Sequence, residues 1–204
     1  MKQLIKVIVY RTFDLFFRYR FNRCIKNLNK KDKVYLVDID NTLADTWPSL
    51  QNYVYRNDNH RYGSLSIFIG MRNFILEKIQ DKDRVVFISA RGYLNYFSTL
   101  KWLSGNGLNS INLILVDRAE DKLAYITELL ERKIAVVYID DLSYGHEYGE
   151  VRLYEKMLLK LNTLPVEYLG VKEIELINSA YATSNKGIKK DIPNCQNYIS
   201  NKVV

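Results

Sequence analysis

Val34-Tyr35-Leu36-Val37-Asp38-Ile39-Asp40-Asn41-Thr42 is the stretch on which the reading of this chain turns. A strand with one solvated face alternates apolar and polar residues, so the unbroken run from Val34 to Val37 reads as a strand buried on both faces. The run stops at two carboxylates spaced two apart and then at Asn and Thr, which are turn-forming residues. Asp38 and Asp40 share a face only while the backbone stays extended. Taken alone, an acidic turn after a strand is also an ordinary solvated loop, and its meaning depends on what the rest of the chain brings to it.

Further strands follow at regular intervals. Arg84 to Ile88 is apolar after its first residue and ends in Ser89-Ala90-Arg91-Gly92; Ile111 to Val116 is a third run, and Ile134 to Ile139 a fourth that ends in Asp140-Asp141. Between them the apolar spacing predicts helices over 71–79, 93–103 and 117–132, with Gly105 and Gly107 as stop signals and Lys122 in the first turn of the last helix. A glycine-punctuated loop over 142–149, a helix over 150–161 and an edge strand over 166–169 complete the pattern. Near-continuous apolar strands alternating with helices predict an α/β fold, a Rossmann-like three-layer α/β/α sandwich with a mostly parallel sheet, over residues 34–178. Residues 45–69 carry no long period and read as a small insertion, one short helix near 48–56 followed by a loop. Residues 179–204 read as a polar tail.

With 48% hydrophobic residues over 204, the chain has enough apolar material for one domain. Cys24 and Cys195 lie far apart without metal-ligand spacing, which excludes a disulfide framework or a cysteine zinc site. No apolar run suits a transmembrane helix, and the first twenty residues lack a clean secretory pattern, so a cytoplasmic location is expected. The charge is uneven. Residues 1–33 hold ten Lys or Arg against two Asp, while the remainder holds 20 against 21, so a polyanion-binding surface spread over the domain is not favoured. Residues 3–28 predict a helix with Ile5, Val9, Phe13, Phe16, Phe17 and Phe21 on one side. Three readings of this basic amphipathic segment stay open: peripheral attachment to anionic lipid, packing onto the domain, and an arm for a partner or nucleic acid.

In an open parallel sheet, ligands bind beyond the carboxyl ends of the strands. The residues there are Asp38, Asp40 and Thr42, then Ser89 and Arg91, then Lys122 at the next helix start, then Asp140 and Asp141. Clustered carboxylates repel, and a hard divalent cation such as Mg2+ relieves the repulsion through oxygen ligands. A carboxylate can attack phosphorus, a second can move the proton, and hydroxyl and ammonium groups can hold the phosphoryl oxygens. The set fits phosphoryl transfer.

These motifs and their order resemble the haloacid dehalogenase superfamily of phosphohydrolases. The DxDx(T/V) motif is similar to Asp38–Thr42, the strand-ending hydroxyl to Ser89, the helix-start lysine to Lys122 and the acidic pair to Asp140-Asp141. The resemblance covers about residues 34–145. It implies Asp38 as nucleophile, Asp40 as general acid/base, and Thr42, Ser89, Arg91 and Lys122 at the substrate phosphate. It also implies Mg2+ held by Asp38, the Asp40 carbonyl and Asp140, with Asp141 either a further ligand or a partner behind the ligands, and 45–69 as a small cap. Asn41 stands where the family commonly has glycine. Lys101 is the alternative to Lys122, although it sits inside a helix. Ser89-Ala90-Arg91-Gly92 also resembles polynucleotide 3′-phosphatases, where Arg91 would meet a second anionic group. The substrate therefore stays open among a small phosphomonoester such as a nucleotide or sugar phosphate, a polynucleotide end, and no substrate at all on a membrane-peripheral binding protein. His60 and His146 read as loop histidines. Trp47, Tyr53, Tyr55 and Tyr62 read as a cluster that stacks a base or sugar, or packs the insertion.

Overall fold

A computed structural model describes residues 2–108 and 112–182, with side chains from residue 7 onward. The chain begins with α1 (Lys2–Ile25) and enters β1 (Lys33–Val37), whose apolar residues are buried as their unbroken run requires. After β1 the main chain stays paired for one more residue, the Asp38 N–H donating to the Ile139 carbonyl at 2.8 Å. It then reverses through Asn41, whose φ of 56° lies in the left-handed region that asparagine tolerates better than most residues. That explains why asparagine can occupy a glycine-like position here.

The segment from 44 to 67 contains β2 (Ala44–Asp45), α2 (Trp47–Gln51), α3 (Asp58–Ser64) and β3 (Ser66–Ile67), with β2 and β3 paired antiparallel. One helix near 48–56 followed by a loop was expected; the helix stops at Gln51, and a second begins at Asp58. The reason is local. Extended Asn57 accepts a hydrogen bond from the His60 N–H at 3.0 Å, an N-cap that converts an Asn-rich stretch from loop to helix start.

The chain continues through α4 (Ile69–Gln80), β4 (Arg84–Ser89), α5 (Tyr96–Gly105), β5 (Asn112–Leu115), α6 (Lys122–Glu131) and β6 (Ala135–Ile139). Short 3₁₀ turns at Tyr93–Asn95 and Ala119–Asp121 take the first residues of the helices expected from 93 and 117. Ile111, expected to open the third strand, lies outside the described residues. The expected loop over 142–149 instead contains β7 (Ser143–Tyr144), paired antiparallel with β8 (Arg152–Leu153). That pairing delays the helix expected from 150 to α7 (Glu155–Leu161). The edge strand is present as β9 (Glu167–Leu169), and α8 (Val171–Ala182) follows it. Residues 183–204 of the expected tail lie outside the described residues.

The main sheet has the order β5-β4-β1-β6-β9, and every neighbouring pair is parallel. Helices flank it, an α/β arrangement compatible with a Rossmann-like fold. From β1 the chain moves outward through β4 to β5, then returns to the other side of β1 with β6 and β9. The direction therefore reverses between β1 and β6, where parallel sheets of this kind open a crevice. Val37 pairs with Ile139 in register, so Asp38 and Asp140 leave their strands side by side.

Of the three readings of α1, the coordinates bear on packing. Phe17, Phe21 and Ile25 are fully buried in the core; the Phe21 ring meets Tyr125 edge to face at 4.9 Å, and Phe17 stacks on Tyr93 at 5.7 Å. Val9 and Phe16, from the same expected stripe, are exposed, so the buried line is rotated toward Phe13, Phe17, Phe21 and Ile25. Among the described residues no helix is long and apolar enough to cross a membrane. Elsewhere, α8 lies on α4 so closely that a Cβ on Gly70 would stand 2.2 Å from the Asn178 carbonyl oxygen. The Asn178 side chain accepts from the Met71 N–H at 2.8 Å and so caps α4 from a distant element.

Candidate metal and phosphate site

Asp38, Asp140 and Asp141 come together where β1 and β6 end. Each offers a carboxylate oxygen, and these oxygens lie within 4.8 Å of one another, all on buried residues. Lys122, at the first position of α6, reaches back into the cluster with its ammonium 2.6 Å from both Asp38 Oδ1 and Asp140 Oδ2. Lys101, the alternative, is exposed on α5.

Burial pushes the Asp38 carboxyl well above the ordinary carboxylate range; Lys122 opposes this, and Asp140, Asp40 and Asp141 reinforce it. Burial also raises Asp141, with help from the Asp140 charge, to about 7, although the Ser143 hydroxyl hydrogen bond acts in the other direction. For Lys122 burial works downward, and the two carboxylates overcome it to hold the ammonium charged. The cluster thus carries surplus negative potential that a cation would neutralise.

The surrounding contacts fix these groups. The Asp140 carboxylate accepts a short hydrogen bond from the Tyr138 hydroxyl on Oδ2 and another from the Leu142 N–H at 2.8 Å on Oδ1, while its carbonyl accepts from the Tyr168 hydroxyl at 2.9 Å. Leu142 takes φ 46°, a left-handed conformation that a leucine adopts only under constraint; Tyr154 holds its carbonyl at 2.9 Å. Asp141 accepts a short hydrogen bond from the Ser143 hydroxyl, whose oxygen lies 2.6 Å from His146 Nε2. His146 is buried, and burial lowers its pKa.

Asp40 stands beside this cluster in a different environment. Burial alone would raise its carboxyl, but the Arg91 charge and hydrogen bonds, the Thr46 hydroxyl at 2.8 Å and the Arg61 charge hold it below its usual range. Arg91 grips both Asp40 oxygens at 2.9 Å, donates to Thr99 at 3.2 Å, and lies 4.1 Å over the Tyr62 ring.

Most of the residues singled out from the sequence are therefore neighbours, but two are placed differently from their expected roles. Arg91 is only 1% exposed and spends its fork on Asp40, so it does not project toward an open substrate. Thr42 is fully buried, and its hydroxyl accepts from the Asp141 N–H at 3.1 Å, which ties the two acidic turns together. Ser89 is also buried, with its hydroxyl 3.4 Å from Asp40. The aromatic group is split: Trp47 meets the His146 ring at 4.8 Å, Tyr62 underlies Arg91, and Tyr53 and Tyr55 pair edge to face at 5.7 Å. His60, expected in a loop, lies exposed on α3, whereas His146 is buried. Tyr138 and Ser143 escaped the sequence reading. Ser143 sits two residues beyond Asp141, a spacing that turn chemistry uses often, and Tyr138 was hidden in an apolar run.

A cavity of about 620 Å³ adjoins the cluster, lined in part by Asn41, Trp47, Phe68, Asp141, Ser143 and His146. It brings apolar and polar groups to one side of the carboxylates, as small-molecule sites do. Compared with known proteins, the chain matches no family model, no curated protein and no solved structure.

Proposed function

We propose that this chain is a divalent-cation-dependent phosphatase of phosphomonoesters that works through an aspartyl-phosphate intermediate, with the motifs and three-layer α/β/α fold of the haloacid dehalogenase superfamily and residues 45–69 as a small cap. The observation that carries the reading is the convergence of Asp38, Asp140 and Asp141 on one point with Lys122 bridging two of them. The donor set suits a hard cation: three buried carboxylates, no sulfur and no imidazole among the oxygens that converge. Asp38, Asp140 and Asp141 would hold Mg2+, which when bound supplies positive charge to the phosphoryl oxygens.

The protein groups divide the remaining work. Asp38 is the nucleophile: its carboxylate forms the bond to phosphorus as the ester oxygen leaves. Lys122, already on Asp38, aims that carboxyl, pulls its pKa down against burial and faces the non-bridging oxygens. Asp40 handles the proton. It protonates the ester oxygen as that oxygen leaves and then, as an anion favoured by Arg91 and Thr46, takes a proton from the water that attacks the aspartyl phosphate. The leaving group lies in the cavity bounded by Trp47, Phe68 and His146. Arg91 turns inward to Asp40, which favours a small phosphomonoester over the polynucleotide end whose second anionic group Arg91 was to meet.

A panel of phosphate esters assayed with and without Mg2+ tests the proposal. Turnover that needs the cation and is lost in Asp38→Asn is expected; full activity in Asp38→Asn would refute the nucleophile.

A further inference from the structure

Part of the cationic surplus of residues 1–33 lines a surface concavity. Arg20 and Arg23, three residues apart on α1, meet Arg84 at the start of β4 around a cavity of about 500 Å³ that also reaches Cys24 and Asn112. No carboxylate lines it among the described residues. The Nε atoms of Arg20 and Arg84 are buried without a hydrogen-bond partner there. Arg20 lies 5.7 Å over the Phe16 ring and 5.5 Å over Tyr96, contacts that orient its guanidinium plane. All three arginines act on the Cys24 thiol: burial raises its pKa and their charges oppose that rise.

Three like charges gathered at one concavity repel unless an anion joins them, and guanidinium forks match phosphate oxygens in pairs. The volume falls within the roughly 300–1,000 Å³ common to small-molecule sites. We propose that this cavity binds a phosphate-bearing ligand, a monoester whose dianion is received by Arg20, Arg23 and Arg84. The site is separate from the acidic cluster. Arg84 opens β4 and Ser89 closes it, and five steps along a strand span about 16 Å. The phosphate held here is not the one transferred, so the proposal does not depend on the phosphatase reading. A soluble ester and a phospholipid headgroup offer the same chemistry.

Cys24 provides a reporter inside the cavity. In a Cys195→Ser background it is the single thiol, and its rate of modification by a thiol reagent is measured with inorganic phosphate, a nucleoside 5′-monophosphate, or phosphatidylcholine vesicles carrying phosphatidic acid. Chloride at equal ionic strength and plain phosphatidylcholine vesicles are the controls. A probe present at about ten times its Kd is expected to slow modification by roughly an order of magnitude. Protection by a soluble probe identifies a free ester, and protection by the doped vesicles alone identifies a lipid headgroup. Arg23→Gln, at an exposed position that leaves the fold intact, and Arg84→Gln are each expected to weaken binding about tenfold. Ser89→Ala, in the other site, is expected to leave it unchanged. The proposal is overturned if no probe protects Cys24, if protection persists undiminished in both arginine variants, or if Ser89→Ala abolishes it.

Discussion

Replacing Arg91 with Met removes the cation that both oxygens of Asp40 share. Asp40 keeps partial contact with solvent, so losing this charge-assisted pair costs about 2 kcal/mol. Arg91→Met is expected to lower the urea midpoint accordingly, while Arg91→Lys, which keeps the charge but not the fork, recovers only part of it. Asp141 leads to a pH prediction. Its carboxyl lies at about 7 in the fold against 3.8 ordinarily, so the folded protein binds more protons than the unfolded chain across that window. Without divalent cation, stability should therefore fall as pH rises from about 4 to about 7 and level off above it. On the proposed reading Mg2+ would bind the deprotonated form, so its effect on the melting temperature should be larger at about pH 8 than at about pH 5, as read by scanning fluorimetry. An equal effect at both values would count against these carboxylates as the ligands.

Between elements, the tightest join is that of α4 and α8. Gly70→Ala would set a methyl group against the Asn178 backbone, which cannot swing aside as a side chain can. A loss of about 2 kcal/mol in chemical denaturation is expected, and Asn178→Ala, which uncaps Met71, should cost about 1 kcal/mol. The strands of the main sheet were legible because burial on both faces leaves a continuous apolar run, and the polar groups at their ends followed from parallel topology. The pairing of β7 with β8 was not, since two-residue strands carry no period. Nor was the burial of His146, which depends on Gly145 and Gly149 turning the chain at φ 85° and 73°. Arg91 illustrates the same limit: sequence places it after a strand, but only packing against Tyr62 and Thr99 sends it inward to Asp40.

On the scale of the molecule, α1 belongs to the core through its second half. Phe21→Ala is expected to cost about 3–4 kcal/mol by leaving a cavity beneath Tyr125, whereas Val9→Ala, on the exposed half, should fall within about 0.5 kcal/mol of the parent. Equal effects would mean that the helix docks along its whole length.

Lys122 also sets a charge count. With Asp38, Asp140 and Asp141 ionised, three negative charges face one ammonium, so the centre lacks two positive charges, the charge of a single divalent ion. On the proposed reading, that ammonium stands where a second metal would otherwise be needed. Titration should end at one ion per chain, and chelation should leave the fold standing, because the ammonium still separates Asp38 from Asp140.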